Sequence, residues 1–351
     1  MTELNTELKK SIILANAGLE NVDEVPFVVE VGPVHLATTR YFNDPEAELA
    51  WNKKFHGERQ NYNDYAWPNI KPNTGINIIA EAFGCECRVN NEADPWVKNR
   101  ISEENAGIVY DLEIPNVETN PAFRRVWDRI EWLQTHSELP LRAANVPSPL
   151  VSASLIWDYT NFIEALLIYP KEVHTLMEKV TQATINYIKE QFRRIKNLYS
   201  VGHELWGLPK EMGVRISDDT AALLSPKLYR EFGVKYNAMI AEEFGGIVVH
   251  SCGDPRNAAA GMLEIPRLKG LDFTIPQVED WTALRDVAAG KTALFLRHCY
   301  WDHLDGNVDM ADYTKAILDV FGRKGLFIQT SMPATEEAMA LCGKLHNILS
   351  K

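Results

Sequence analysis

The stretch Gly245-Gly-Ile-Val-Val-His-Ser-Cys-Gly253 decides how the rest of the chain is read. Two glycines stop a helical pattern, a short apolar run follows, and the run ends on polar His-Ser-Cys. A run this short and apolar on both faces is the pattern of a buried parallel strand. Immediately upstream, Lys227 to Phe244 reads as a helix, with Ser225 at the N-cap and Pro226 at the first helical position. Further outward, similar runs stand at Gly213 to Ile216, Leu271 to Ile275, Ala293 to Leu296 and Leu326 to Ile328, alternating with helical patterns. Toward the N-terminus, Pro26 to Val31, Glu86 to Val89 and Leu141 to Val146 read as a first, second and third strand.

Eight strands with helical crossovers predict a (β/α)₈ TIM barrel of class α/β. The region from about 40 to 139 holds more chain than one repeat needs. It carries Trp51, Trp67, Trp96, Trp127 and Trp132 among several prolines, and is expected to be an N-terminal helical and loop elaboration covering the barrel mouth. The whole chain, 1–351, is thus expected to be a single barrel domain with that insertion. A doubly wound open sheet is the competing fold, but no Gly-x-Gly-x-x-Gly turn follows the first strand and no phosphate loop occurs.

Among the 351 residues, 48 acidic against 36 basic side chains leave a formal charge of −12. Nucleic acid and anionic membranes need a positive surface, so a small molecule or another protein is the expected partner. Met1 to Lys10 is polar, and no run approaches the length of a membrane span, so the protein is expected to be cytoplasmic. Five cysteines in so long a chain form no disulfide framework.

In a barrel of this kind chemistry sits at the C-terminal strand ends. Those ends read Glu30, Ser217-Asp218-Asp219, His250-Ser-Cys252, Gln277, Arg297-His298-Cys299 and Gln329-Thr330-Ser331. His250 and Cys252, two apart on an extended segment, point to one side, as two ligands of a tetrahedral zinc ion do, and Gly253 lets the chain turn away. The alternative is a hydrogen-bonded histidine beside a small buried thiol. Asp218-Asp219 either caps a helix or supplies a carboxylate that orients a ligand. Glu30, among apolar neighbours, is a candidate proton donor or further ligand. His298 and Cys299, near Tyr300, Trp301 and His303, are candidates for a pocket lining. Cys85, Cys87 and Cys342 read as structural thiols. No Gly-x-Ser-x-Gly, His-Glu-x-x-His or kinase motif is present.

The run Arg215-Ile-Ser-Asp-Asp-Thr-Ala-Ala-Leu-Leu-Ser-Pro-Lys-Leu-Tyr-Arg-Glu-Phe232, then Lys235-Tyr236 and Gly246-Ile-Val-Val-His-Ser-Cys-Gly253, resembles the uroporphyrinogen decarboxylase superfamily, and within it the corrinoid-dependent methyltransferase branch. Asn145-Val-Pro-Ser-Pro-Leu-Val-Ser-Ala-Ser154 resembles the segment after the third strand of those proteins. The resemblance implies a barrel with an N-terminal helical elaboration. It also implies zinc held by His250 and Cys252. The decarboxylase's Arg-Gln-Ala-Gly-Arg signature is replaced by Val29-Glu-Val-Gly-Pro-Val-His35, which removes the counter-charges for a polycarboxylate. The branch's third zinc cysteine falls at Gln329-Thr330-Ser331, where no cysteine stands. A site with fewer thiolates is more Lewis-acidic and suits an ether oxygen.

The expected activity is therefore demethylation of a small methylated donor, an aryl methyl ether, with the methyl group passed to cob(I)alamin on a separate corrinoid protein. The chain itself carries no Asp-x-His-x-x-Gly cobalamin motif. Glu30, Asp219 and His298 are the candidates to complete the metal's ligands or protonate the leaving oxygen. Two other activities compete: methyl transfer from methylcobalamin to a thiol of the coenzyme M type, and a barrel that binds a corrinoid or ligand without catalysis.

Overall fold

The computed structural model describes residues 3–31, 42–59, 61–73, 75–89, 95–144, 146–198, 206–302 and 308–350. Its strands, in chain order, are β1 (Phe27–Val31), β2 (Glu86–Arg88), β3 (Trp96–Lys98), β4 (Val214–Ser217), β5 (Ile247–Ser251), β6 (Leu268–Thr274), β7 (Ala293–His298) and β8 (Leu326–Met332). Six of them form one parallel sheet in the order β1-β8-β7-β6-β5-β4, which curls into a half-barrel. This is a TIM-barrel-like α/β fold, as the alternation of apolar runs and helical patterns predicts. The helices are α1 (Glu3–Ala17), α2 (Pro45–Glu58), α3 (Ile78–Ala82), α4 (Pro121–His136), α5 (Pro149–Ile156), α6 (Tyr159–Ile168), α7 (Pro170–Arg194), α8 (Pro226–Tyr229), α9 (Lys235–Phe244), α10 (Arg256–Met262), α11 (Trp281–Ala288), α12 (Met310–Phe321) and α13 (Thr335–Leu349).

The helix expected from Ser225-Pro226 is present, but Arg230–Val234 winds as a π-helix between α8 and α9. Ser225 caps it by accepting from Leu228 N, and Gly245 ends it. At the foot of β4, Gly213 has φ +77°, and a Cβ there would lie 2.0 Å from the carbonyl oxygen of Gly246. Only glycine permits both that backbone and that approach of β4 to the start of β5.

Two of the eight expected strands are corrected. Glu86–Arg88 is a strand, but it pairs antiparallel with β3 in a two-stranded ribbon outside the barrel. Its charged residues flank one half-buried cysteine, the pattern of a surface ribbon and not of a strand covered on both faces. The described residues of Leu141 to Val146 form no ladder, only isolated bridges from Leu141 to Ile70 and Leu198. The gap between β1 and β4 is instead spanned by irregular segments near residues 64–70 and 140–147, joined by isolated bridges Ile70↔Leu141 and Pro147↔Ser217. Asn145 lies outside the described residues.

Side chains help complete this seam. Val29 N donates to Asp64 Oδ2 at 2.9 Å, Tyr65 N donates to Phe27 O at 2.9 Å, and the Arg59 guanidinium donates to Val29 O while pairing with Asp64 at 2.5 Å. Asp64 and Arg59 are both buried. Their ion pair thus stands where a ladder would satisfy the edge of β1.

The region 40–139 supplies the helices α2, α3 and α4 together with the β2–β3 ribbon and the 64–70 segment of the seam, and α4 packs on an outer helix. One face of α4 buries Phe123, Val126, Trp127, Ile130 and Leu133, and the rings of Phe123 and Trp127 lie 5.3 and 5.5 Å from that of Tyr187 in α7. An Arg129–Glu48 ion pair ties α4 to α2. Trp127 and Trp67 are core residues, and Trp96 is exposed.

No helix among the described residues is long and apolar enough to cross a membrane.

Candidate metal centre at the barrel mouth

Register fixes which side chains enter the barrel. His250 pairs with Ser217 on one side and Asp272 on the other, Arg215 with Val248, Thr274 with Arg297, and Arg297 with Gln329. Because faces alternate along a strand, Arg215, Ser217, His250, Asp272, Thr274, Arg297, Gln329, Ser331 and Glu30 share the inner face. Polar groups therefore line much of the inner face, with Phe295, in register with Asp272, and Phe327 beside it stacking at 4.3 Å.

Three donor atoms converge at the end of β5. His250 Nε2 lies 3.2 Å from Cys252 Sγ and 3.8 Å from Asp219 Oδ1, and all three donors lie within 4.8 Å of one another. Two ligands at zinc bond lengths of about 2.0–2.3 Å and a tetrahedral angle sit about 3.3–3.8 Å apart. The donor set, one imidazole, one thiol and one carboxylate, matches that spacing and zinc's borderline chemistry. Gly253, at φ +81°, turns the chain immediately afterwards and donates its N–H to Gln277 Oε1 at 2.6 Å. Asp219, at the start of the turn after β4, accepts from Cys252 N at 2.7 Å, which holds its half-exposed carboxylate beside the thiol.

Behind His250 stands Asp272. His250 Nδ1 lies 3.2 Å from Asp272 Oδ1, and the other carboxylate oxygen accepts from Arg215 Nε at 2.8 Å and Nη2 at 2.5 Å. A carboxylate on the far nitrogen fixes the ring so that Nε2 faces the other donors. Burial alone lowers the affinity of His250 for a proton, but the Asp272 charge and the hydrogen bonds of Asp272 and Cys252 outweigh it, raising the pKa to about 9.

Asp218 is fully buried and faces the other way, accepting from Ser148 Oγ at 2.7 Å, Asn237 Nδ2 at 2.8 Å and Tyr229 OH at 3.0 Å. Burial pushes its carboxyl pKa up, against the pull of those hydrogen bonds.

Of the residues singled out from sequence, His250, Cys252 and Asp219 are brought together. Glu30 points into the same interior from β1, buried, and accepts from Gln329 Nε2 at 2.7 Å. His298 is placed elsewhere. It falls on the outward face of β7, where Nε2 lies 2.9 Å from Thr314 Oγ1 and the ring packs 4.9 Å from Tyr313, both on α12. It joins strand to helix and does not line the interior, a correction that follows from the one-residue alternation between it and Arg297.

Cys299 is fully buried, and burial with the nearby Glu30 charge holds its thiol well above the ordinary range. Burial likewise pushes Cys85 up to about 11 and Cys342 up to about 12. His303 and Gly32 to His35 lie outside the described residues. Asp272 was not among the candidates read from sequence. Its signal was a single carboxylate inside the apolar run Leu271-Asp272-Phe273, one strand from the histidine.

A family model described as uroporphyrinogen decarboxylase (URO-D) matches residues 8–198, more than half of the chain. The chain belongs to the uroporphyrinogen decarboxylase family. That match spans β1 and the insertion and stops before β4, so the donor cluster lies beyond it. Among solved structures, a methyltransferase from Methanosarcina mazei shares the fold with a TM-score of 0.68, at 16% sequence identity, over 97% of this chain and 98% of that one. No curated protein matches the chain significantly in sequence. The arrangement of this family member's barrel, with polar inner residues at the C-terminal strand ends, follows the general rule for where such barrels work.

Proposed function

We propose that this member of the uroporphyrinogen decarboxylase family is a methyltransferase that demethylates a small methylated donor, an aryl methyl ether, and passes the methyl group to cob(I)alamin carried by a separate corrinoid protein. The observation that carries the reading is the Asp219, His250 and Cys252 cluster at the barrel mouth, backed by Asp272 and Arg215. The fold it shares with a methyltransferase supports the same class of reaction.

His250, Cys252 and Asp219 would hold a zinc ion, which supplies Lewis acidity toward an ether oxygen. With a carboxylate in place of the second thiolate of a Cys₂His set, this donor set keeps the same formal charge but donates electron density less covalently, which leaves the ion more Lewis-acidic toward a neutral oxygen. Asp272 orients His250 and keeps its ring from turning. Glu30, an inward carboxyl on the opposite edge of the sheet, is assigned, in its protonated form, as the group that would give a proton to the departing phenolate oxygen as the C–O bond breaks and the methyl carbon bonds to cobalt. The −12 charge of the chain suits a neutral or phenolic donor better than a polycarboxylate.

The test is incubation with cob(I)alamin and a panel of methoxylated aromatics, following the methylcobalamin spectrum. Methylcobalamin formation that disappears in His250→Ala supports the reading. Methylation of coenzyme M from methylcobalamin, with no demethylation of any methoxyarene, overturns it in favour of thiol methylation.

A further inference from the structure

We infer that Asp218 and Tyr229 are positioning residues of the metal centre, forming with Ser148 and Asn237 a buried clamp that sets Asp219 against His250 and Cys252. The inference rests on the metal-centre reading above.

Asp219 is the one donor of the cluster with a half-exposed side chain, so its place depends on its backbone. That backbone is anchored one residue earlier. Asp218 N donates to the carbonyl oxygen of His250 at 2.7 Å, joining the end of β4 directly to the end of β5, and Asp218 O accepts from Ala221 N at 3.1 Å to start the turn that carries Asp219. The neighbouring Ser217 O accepts from Ser148 N at 2.7 Å. The Asp218 side chain, pointing away from the metal centre, is then held by donors from three helices: Ser148 at the N-cap of α5, Tyr229 in α8 and Asn237 in α9. Five hydrogen bonds, two by its backbone and three by its side chain, thus fix the residue between β4 and Asp219. None of its side-chain donors touches the metal cluster.

The helix is shaped to make this clamp. Tyr229 and Asn237 are eight residues apart, which on a regular helix of 3.6 residues per turn leaves them about 80° apart around the axis. The π-helix at Arg230–Val234, with its wider turn, absorbs most of that difference, and Asn237 Nδ2 also lies 3.3 Å from Tyr229 OH. The Tyr229 ring fits between two glycines: a Cβ on Gly233 would come within 2.3 Å of it and one on Gly261 within 2.9 Å. A ring seated this closely delivers its hydroxyl to one place.

The test uses the full chain loaded with Co²⁺ as a spectroscopic stand-in, in the wild type, Tyr229→Phe, Ser148→Ala and Cys252→Ser. The wild type is expected to show a thiolate-to-cobalt charge-transfer band that Cys252→Ser abolishes. Tyr229→Phe keeps the ring in its slot and removes one donor, and Ser148→Ala removes another from a different helix. Both are expected to bind Co²⁺ and Zn²⁺ more weakly, by up to about 10-fold, the low end of what losing a partner bonded directly to a ligand costs, with altered d–d bands. A role confined to stability lowers the unfolding midpoint and leaves affinity and spectrum unchanged in folded protein. Wild-type affinity and spectrum in both variants, each folded by circular dichroism, overturns the inference. Absence of the charge-transfer band from the wild type overturns the metal reading and the inference together.

Discussion

Asp272→Asn removes the charge that holds together the inner side of the metal centre, and its consequences can be worked out before metal is added. Asp272 is 5% exposed and Arg215 3% exposed, with the carboxylate 2.5 and 2.8 Å from the guanidinium nitrogens. Removing one charge of such a buried pair costs about 3–5 kcal/mol.

The second effect is on pH dependence. In the wild type the folded pKa of His250 is about 9, above its ordinary 6.5. The folded metal-free protein therefore binds the proton more tightly than the unfolded chain does. The stability this contributes is fully present below about pH 6.5 and is lost as pH rises through about 9, with a slope of up to about 1.4 kcal/mol per pH unit between them. Without the Asp272 charge, burial dominates and the pKa falls, so the variant loses this downward slope.

Urea unfolding of chelator-treated protein across that range, with imidazole NMR titration, reads both effects. A variant that unfolds within about 1 kcal/mol of the wild type and keeps the same slope refutes the reasoning.

Other outcomes follow from the same geometry. Asp64→Asn is expected to cost about 3–5 kcal/mol in urea unfolding, because Arg59 loses its carboxylate at the seam where side chains complete the barrel. Gly213→Ala is expected to destabilise by more than about 3 kcal/mol, since a Cβ would meet the Gly246 carbonyl oxygen at 2.0 Å. Its unfolding midpoint checks this, and a change under about 1 kcal/mol contradicts it. His298→Gln is expected to lower stability while leaving Zn²⁺ affinity unchanged, because the ring bonds Thr314 on α12 and faces away from the donors. Calorimetric titration with Zn²⁺ separates the two quantities.

The sheet was legible wherever strands are buried on both faces. Ile247 to Val249, Leu294 to Leu296 and Leu326 to Ile328 are nearly all apolar, which identifies a parallel strand whatever surrounds it. The seam was not legible. Asp64-Tyr-Ala-Trp-Pro-Asn-Ile70 carries a charged residue and a proline where a ladder would run, and its place depends on Arg59 and on a distant stretch near Leu141.

At the site, His250 and Cys252 could be read together because two-residue spacing on a strand puts both on one face. Asp219 and Asp272 reach the same histidine from neighbouring strands. Only the folded geometry shows that Asp219, from the turn after β4, approaches Nε2 while Asp272, in register with His250 on β6, approaches Nδ1. The same alternation turns His298 outward and Arg297 inward, a one-residue distinction that strand ends leave open when read from sequence alone.

The central claim is that Asp219, His250 and Cys252 together bind one metal ion. Elemental analysis of zinc per chain, on protein purified without chelator and dialysed after saturation with Zn²⁺, tests it most directly. The wild type is expected to retain one zinc per chain, and Cys252→Ser and Asp219→Ala to retain far less. A wild type that retains none, or a Cys252→Ser variant that retains as much as the wild type, contradicts it.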